Sequence, residues 1–107
     1  MKSLKLKNMI KKIYIAGHNG MVGSAIYRKL LKKKKYKLIT ASKKKLNLLN
    51  QKDTFNFLKK NRPDLVINAA AKVGGIHANN SYRTEFLYNN LQIQNNLIYS
   101  SHDLAID

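Results

Sequence analysis

From Lys12 onward the hydrophobic residues of this chain fall into short unbroken runs that alternate with longer periodic stretches. Residues 12–16 (KIYIA) are a brief run rich in β-branched and aromatic residues, cut off by Gly17, which predicts a buried strand. From Met21 to Lys34, Val22, Ala25, Ile26 and Leu30 recur at three- and four-residue spacing, the pattern of an amphipathic helix with a Lys-rich outer face. Lys32–Lys35 at its end suit the negative pole of the helix dipole. Residues 37–41 (KLITA) predict a second strand, and Leu46–Leu48 a short third one. Asn50 followed by Asp53 has the form of a helix cap, and the helix it opens runs to Lys60 with Phe55 and Leu58 as its buried face. After Pro63, residues 64–68 (DLVIN) predict a fourth strand, and a glycine-containing loop extends to Asn80. Phe86, Leu87, Leu91, Ile93, Leu97 and Ile98 then mark a long helix from about Tyr82 to Ser101.

Strands that alternate with helices through short connections imply βαβ units and a parallel sheet. The expected fold class is therefore α/β, an incomplete doubly wound sheet of the Rossmann type with about four strands and three helices. In that arrangement strand 64–68 lies beside strand 12–16, and a ligand crevice opens at their carboxyl ends. Two loops meet there, one starting at Gly17 and the other at Ala69. Residues 1–11 lack a sustained period and read as a basic extension, leaving 12–107 as the folded unit.

Composition narrows the possible chemistry. The 107 residues contain no cysteine, which excludes disulfide frameworks, cysteine-based zinc sites and cysteine nucleophiles, and accords with a reducing compartment. No metal site is expected. No stretch approaches the length of a membrane helix or of a signal peptide's apolar region, so a cytoplasmic location is expected. The net charge of +16 is lopsided: residues 1–60 carry 17 Lys and Arg28 against Asp53 alone, while residues 61–107 balance Arg62, Lys72 and Arg83 against four acids. A basic half of this kind could track a phosphate backbone. The runs are almost all lysine, however, with neither arginine nor aromatic residues interleaved, which disfavours nucleic acid as the partner.

Gly17, Gly20 and Gly23 stand between a predicted strand and a predicted helix. There the first permits a tight turn, the second lets backbone approach a pyrophosphate, and the third allows close packing of helix on sheet. The same spacing also occurs in ordinary strand-to-helix turns, so its position between the two elements carries the argument. An NAD site usually presents an acid about 20 residues further on. Here the second strand ends in Ala41-Ser42-Lys43-Lys44-Lys45, which favours a 2′-phosphate and hence NADP, unless these lysines simply face water. Lys72, Val73, Gly74 and Gly75 lead out of the fourth strand into the crevice, with His77, Asn79 and Asn80 close behind. Glycines let backbone near a ligand there, and amides can read hydroxyl groups.

Residues 16–31 (AGHNGMVGSAIYRKLL), 46–50 (LNLLN), 69–80 (AAAKVGGIHANN) and 85–98 (EFLYNNLQIQNNLI) resemble the amino-terminal third of the GDP-L-fucose synthases. These are extended short-chain dehydrogenases/reductases that epimerise and reduce GDP-4-keto-6-deoxy-mannose. The glycine motif is shared by the whole superfamily, whereas the KVGGIHANN run is far more particular. The resemblance covers about residues 12–100 and implies NADP as cofactor, a GDP-sugar substrate and a homodimer whose interface uses the last helix. It implies pyrophosphate contacts at Gly17, His18, Asn19, Gly20, Met21, Val22 and Gly23, and places the stretch from Ala41 to Leu46 near the adenosine end, with cofactor contacts at Ala41, Ser42 and Lys43. It further implies cofactor contacts at Ala69, Ala70 and Ala71, and substrate contacts at Lys72, Val73, Gly74, Gly75, His77 and Asn79. The chain departs from the pattern at Asn19 and Ala41, where the family commonly has arginine, and at Arg83, where proline is usual.

No tyrosine is followed four residues later by lysine, so the Tyr-x-x-x-Lys pair of the superfamily is absent and no catalytic residue is assigned. The expectation is a cofactor-binding part, inactive alone, whose strand 64–68 is left open on one side. Two alternatives stand beside it: a corresponding part of another nucleotide-sugar epimerase or dehydratase, and a basic nucleic-acid-binding module.

Overall fold

A computed structural model describes residues 10–70 and 80–107, with the backbone alone over residues 80–87. Six elements follow one another: β1 (Lys12–Ala16), α1 (Met21–Lys32), β2 (Lys37–Ile39), α2 (Gln51–Asn61), β3 (Leu65–Asn68) and α3 (Asn80–Asp103). The strands form one parallel sheet in the order β2-β1-β3. Tyr14 stands opposite Ile39 on one side and Val66 on the other. The strand after Pro63 thus lies beside β1, as the doubly wound pattern requires.

β1 is central and buried on both faces. Tyr14 and Ala16 point to a core with Leu46, Leu58, Ile93 and Leu97, covered by α2 and α3. Ile13 and Ile15, on the alternate face, are equally buried on the side where α1 packs. The start of the sheet is pinned by Asp64, whose Oδ2 accepts the Lys11 N–H at 3.0 Å and the Lys12 N–H at 2.9 Å. These two donors hold its carboxyl below the usual carboxylate range.

Several expectations are corrected. Leu46–Leu48 is not a strand, so three strands are described rather than four. The segment is folded by turns, with Lys45 and Leu46 N–H donating to the Ser42 carbonyl and Asn50 N–H to that of Asn47. Its leucines are apolar because they plug the core from a loop. β2 ends at Ile39, before Thr40 and Ala41. α1 stops at Lys32, its end marked by the left-handed Lys34 (φ 54°).

Val22 and Ala25 face outward, although their spacing suggested burial. Gly23 is the buried residue of α1 and sets the rotation of the helix, turning Ile26, Tyr27 and Leu30 inward and Val22 outward. In α2 the fully buried residues are Thr54 and Leu58, with Phe55 half-buried. Among the described side chains of α3, Ile93, Asn96, Leu97 and Ser100 are buried, while Leu91 and Ile98 are exposed. The outer edge of β3 is also less open than expected, because the Val66 N–H donates to the Asp107 carbonyl at 2.7 Å.

Candidate functional site

β1 ends at Ala16, and the chain reverses through a turn closed by the Gly20 N–H on the Gly17 carbonyl at 3.1 Å. Gly17 has φ +81°, and a Cβ there would strike the Ala69 carbonyl, so this position tolerates only glycine without strain. A Cβ on Gly23 would fall on the Gly17 carbonyl, so α1 starts in direct contact with the turn. Gly20 caps α1 with no side-chain bond and no acid stands in the first turn, which leaves the first helical N–H groups without an intrahelical acceptor. This is a backbone suited to a phosphate, with the positive pole of the helix behind it.

The turn forms one wall of a cleft of about 380 Å³. Gly17, His18, Asn19 and Gly20 line it on one side, and Ala69 and Ala70 border it where β3 ends. Ala70 N–H donates to Asn68 Oδ1 at 3.1 Å, and Ala69 N–H to the Ala16 carbonyl at 2.8 Å, so the two loops are tied at their roots. The other wall comes from the loop after β2, through Ala41, Lys43, Leu46, Leu48 and Leu49. Tyr14 and Ile93 complete the lining. Tyr14 is almost fully buried, its ring 4.9 Å from that of Phe57, and burial pushes its hydroxyl up to about 12.

Of the twelve expected site residues that are described, the structure brings eight into this one cleft, including His18, Asn19, Ala41 and Lys43. Met21, Val22, Gly23 and Ser42 do not line it: Gly23 acts by packing, and the Ser42 carbonyl closes the turn of the second wall. Lys44 and Lys45 face water, whereas Lys43, also exposed, borders the cleft. Ala71, Lys72, Val73, Gly74, Gly75, His77 and Asn79 lie outside the described residues. Leu46, at the end of the stretch expected near the adenosine, lines the cleft, whereas sequence reasoning missed Tyr14, Leu48, Leu49 and Ile93. The available signal was the apolar LNLLN segment, which reads equally well as a strand. Among the described residues that line the cleft there is no carboxylate, so nothing charged opposes a phosphate. No group of three or more metal-ligating side chains occurs among the described residues, and no described helix is long and apolar enough to cross a membrane.

Residues 13–107 match the family model described as the NAD dependent epimerase/dehydratase family. The chain belongs to that family. Among its relatives, GDP-L-fucose synthase 1 of Arabidopsis thaliana is 49% identical over 95 residues, 89% of this chain and 29% of that protein. GDP-L-fucose synthase of Escherichia coli K12 is 45% identical over 92 residues, 86% of this chain and again 29% of the relative. Among solved structures, a GDP-mannoheptose C4 reductase from Campylobacter jejuni with NADP bound superposes with a TM-score of 0.83 at 38% identity, covering 90% of this chain and 30% of that one. The chain thus spans less than a third of the length of the epimerase/dehydratase relatives it matches. The similarity to GDP-L-fucose synthases found in the residue motifs is borne out by these alignments, as is the α/β fold.

Proposed function

We propose that this chain is the amino-terminal, cofactor-binding part of an NADP-dependent GDP-sugar epimerase/reductase of the GDP-L-fucose synthase kind. In that protein GDP-4-keto-6-deoxy-mannose is converted to GDP-L-fucose, and the 107 residues alone are inactive because they hold no Tyr-x-x-x-Lys pair. The observation that carries the reading is the convergence of the Gly17–Gly20 turn with Ala69–Ala70 and Lys43 on one cleft that holds no carboxylate among its described lining residues. Bound there, NADPH supplies the hydride. Gly17, His18, Asn19 and Gly20, with the first N–H groups of α1 at Met21, Val22 and Gly23, receive the pyrophosphate. Ala41 and Ser42 flank the adenosine. Lys43 takes the 2′-phosphate, standing in for the arginine that the family commonly carries at the place of Ala41.

Residues 12–107 belong to this nucleotide-binding domain and 1–11 are an extension to it. The resemblance assigns Lys72, Val73, Gly74, Gly75, His77 and Asn79 to the GDP-sugar and Ala71 to the cofactor, all of them outside the described residues. The protein is assigned to the cytoplasm and to a homodimer, and the exposed stripe Tyr88, Leu91, Ile98 and Tyr99 on α3 supports the homodimer. A second reading, another GDP-sugar reductase, is favoured by the GDP-mannoheptose reductase similarity. The two differ in substrate and agree on the cofactor.

Titration of the purified chain with NADPH and NADH tests the cofactor assignment. NADPH is expected to bind more tightly, and Lys43→Ala to remove about tenfold of that preference, the effect of one charge-assisted phosphate contact near solvent. Equal binding of both nucleotides, or of neither, sinks the assignment. NADPH oxidation by the 107-residue chain with the keto sugar would overturn its inactivity.

A further inference from the structure

We infer that Asn96, on the buried face of α3, is a positioning residue for the adenosine wall of the cleft, acting through the carbonyl of Leu48. This rests on the dinucleotide reading above and assigns to that site a residue that does not itself line it. Asn96 is 3% exposed, and its Nδ2 donates to the Leu48 carbonyl at 2.7 Å across 48 residues of sequence. Its Oδ1 accepts from Gln92 Nε2 at 3.1 Å, one turn earlier on the same helix, so the orientation of the amide is set from both ends. The Thr54 hydroxyl also approaches the Leu48 carbonyl, at 3.5 Å, but its shorter bond of 2.9 Å goes to the carbonyl of Asn50. One hydroxyl proton serves one acceptor at a time, so the Leu48 carbonyl depends on Asn96.

The other bonds within the loop are local. Lys45 and Leu46 N–H reach Ser42, Leu49 N–H reaches Asn47 Oδ1 at 3.1 Å, and Asn50 N–H reaches the Asn47 carbonyl. Bonds of this span fix the shape of a loop and leave its placement free. Leu46, Leu48 and Leu49 all line the cleft, so the Asn96–Leu48 bond anchors this wall to α3. An apolar residue at position 96 would fill the same buried place with no amide to desolvate. A buried amide with both ends satisfied instead selects one loop position among several that hydrophobic contact alone would accept.

The test compares the wild-type chain, Asn96→Leu and Gln92→Met, the last being a milder change that leaves the Leu48 bond but frees the Asn96 oxygen. Adenosine 2′,5′-bisphosphate probes the adenosine wall, inorganic pyrophosphate probes the glycine turn, and amide hydrogen exchange reads the loop without any ligand. In Asn96→Leu the bisphosphate is expected to bind about tenfold more weakly and pyrophosphate within about twofold of wild type. Exchange at Leu46 and Leu49 should accelerate while Gly20 and Ser24 stay protected. Gln92→Met should shift the same readouts in the same direction by a smaller factor, so the inference stays testable if Asn96→Leu folds poorly. Equal loss of both ligands, or unchanged exchange in the loop, overturns the positioning role. A loosened loop in Asn96→Leu combined with a wild-type chain that binds no bisphosphate overturns the dinucleotide reading, and with it the assignment of Asn96 to an adenosine site.

Discussion

Gly17 and Gly23 hold one wall of the cleft by lacking a side chain, whereas Leu48 and Asn96 hold the other by a hydrogen bond between segments 48 residues apart. The first wall is steric and local. Its geometry follows from a positive φ, a carbonyl that leaves no room for a Cβ, and a helix that must start at once. The second wall is polar and long-range, and its backbone would accept other paths if the buried amide were withdrawn. One cleft therefore has a side that tolerates almost no substitution and a side that can be retuned, which suits the proposed placement of phosphates at the first and adenosine at the second.

The hardest test of the contrast is at the glycines. Gly23→Ala and Gly17→Ala should each destabilise the chain by about 3 kcal/mol, because the new Cβ meets backbone rather than a movable side chain. Pyrophosphate binding should be lost in any protein that still folds. A Gly23→Ala chain with the wild-type urea midpoint would show that α1 can move off the turn without cost, and the steric account of that wall would fail.

Beneath both walls, Tyr14 offers a different handle. Its hydroxyl titrates at about 12 when folded, above the value near 10 of an unfolded tyrosine, so its contribution to stability is complete below pH 10 and is lost as pH rises from about 10 to about 12. The loss attributable to this one group amounts to about 2 kcal/mol by pH 12. Ultraviolet titration should show one late tyrosinate that is absent in Tyr14→Phe, and the alkaline loss of stability should shrink in that variant.

A smaller effect is expected at Asn50, whose Oδ1 accepts the Asp53 N–H at 3.0 Å and caps α2 where the second wall ends. Asn50→Ala should cost about 1 kcal/mol in thermal unfolding and should accelerate exchange in the loop without touching the glycine turn. Loss of protection at Gly20 in this variant would mean that the two walls are one cooperative unit.

Smallest of all is Asp64, far from either wall. Its folded pKa is depressed, so its contribution is present above the usual carboxylate value and is lost as pH falls through the folded one. Asp64→Asn should remove that acid-side slope below about pH 4 while lowering stability at pH 7 by only a few tenths of a kcal/mol, since the pair of bonds is near solvent. A large loss at neutral pH would show that the sheet, rather than the cleft, is the weak point of the molecule.

Much of this arrangement was legible in the chain itself. The KIYIA run, its glycine stop and the helix that follows lie within a single stretch of sequence, and sterics there act between near neighbours. The placement of β3 beside β1 followed from the alternation of strand and helix. Lys43 could be named as a cleft residue because no acid follows β2, although Lys44 and Lys45 carry the same chemistry and point to water. Leu46–Leu48 reads as a strand because two leucines flanking an asparagine look alike in an edge strand and in a loop that plugs a core. Val22 was placed on the wrong side of α1 because periodicity weighs side chains, and the inward position belongs to a glycine, which has none.

By itself the sequence determined the order of the elements, the glycine turn and the absence of a carboxylate at the end of β2, all of which rest on interactions spanning a few residues. Only the tertiary structure decided that Asn96 and Ser100 are buried on α3 while Leu91 and Ile98 are exposed, and that the loop after β2 forms a wall of the cleft. An asparagine on a helix looks, in sequence, like a residue for water. Its burial is worthwhile only because a carbonyl 48 residues away reaches it at hydrogen-bonding distance, and no local pattern records such a meeting.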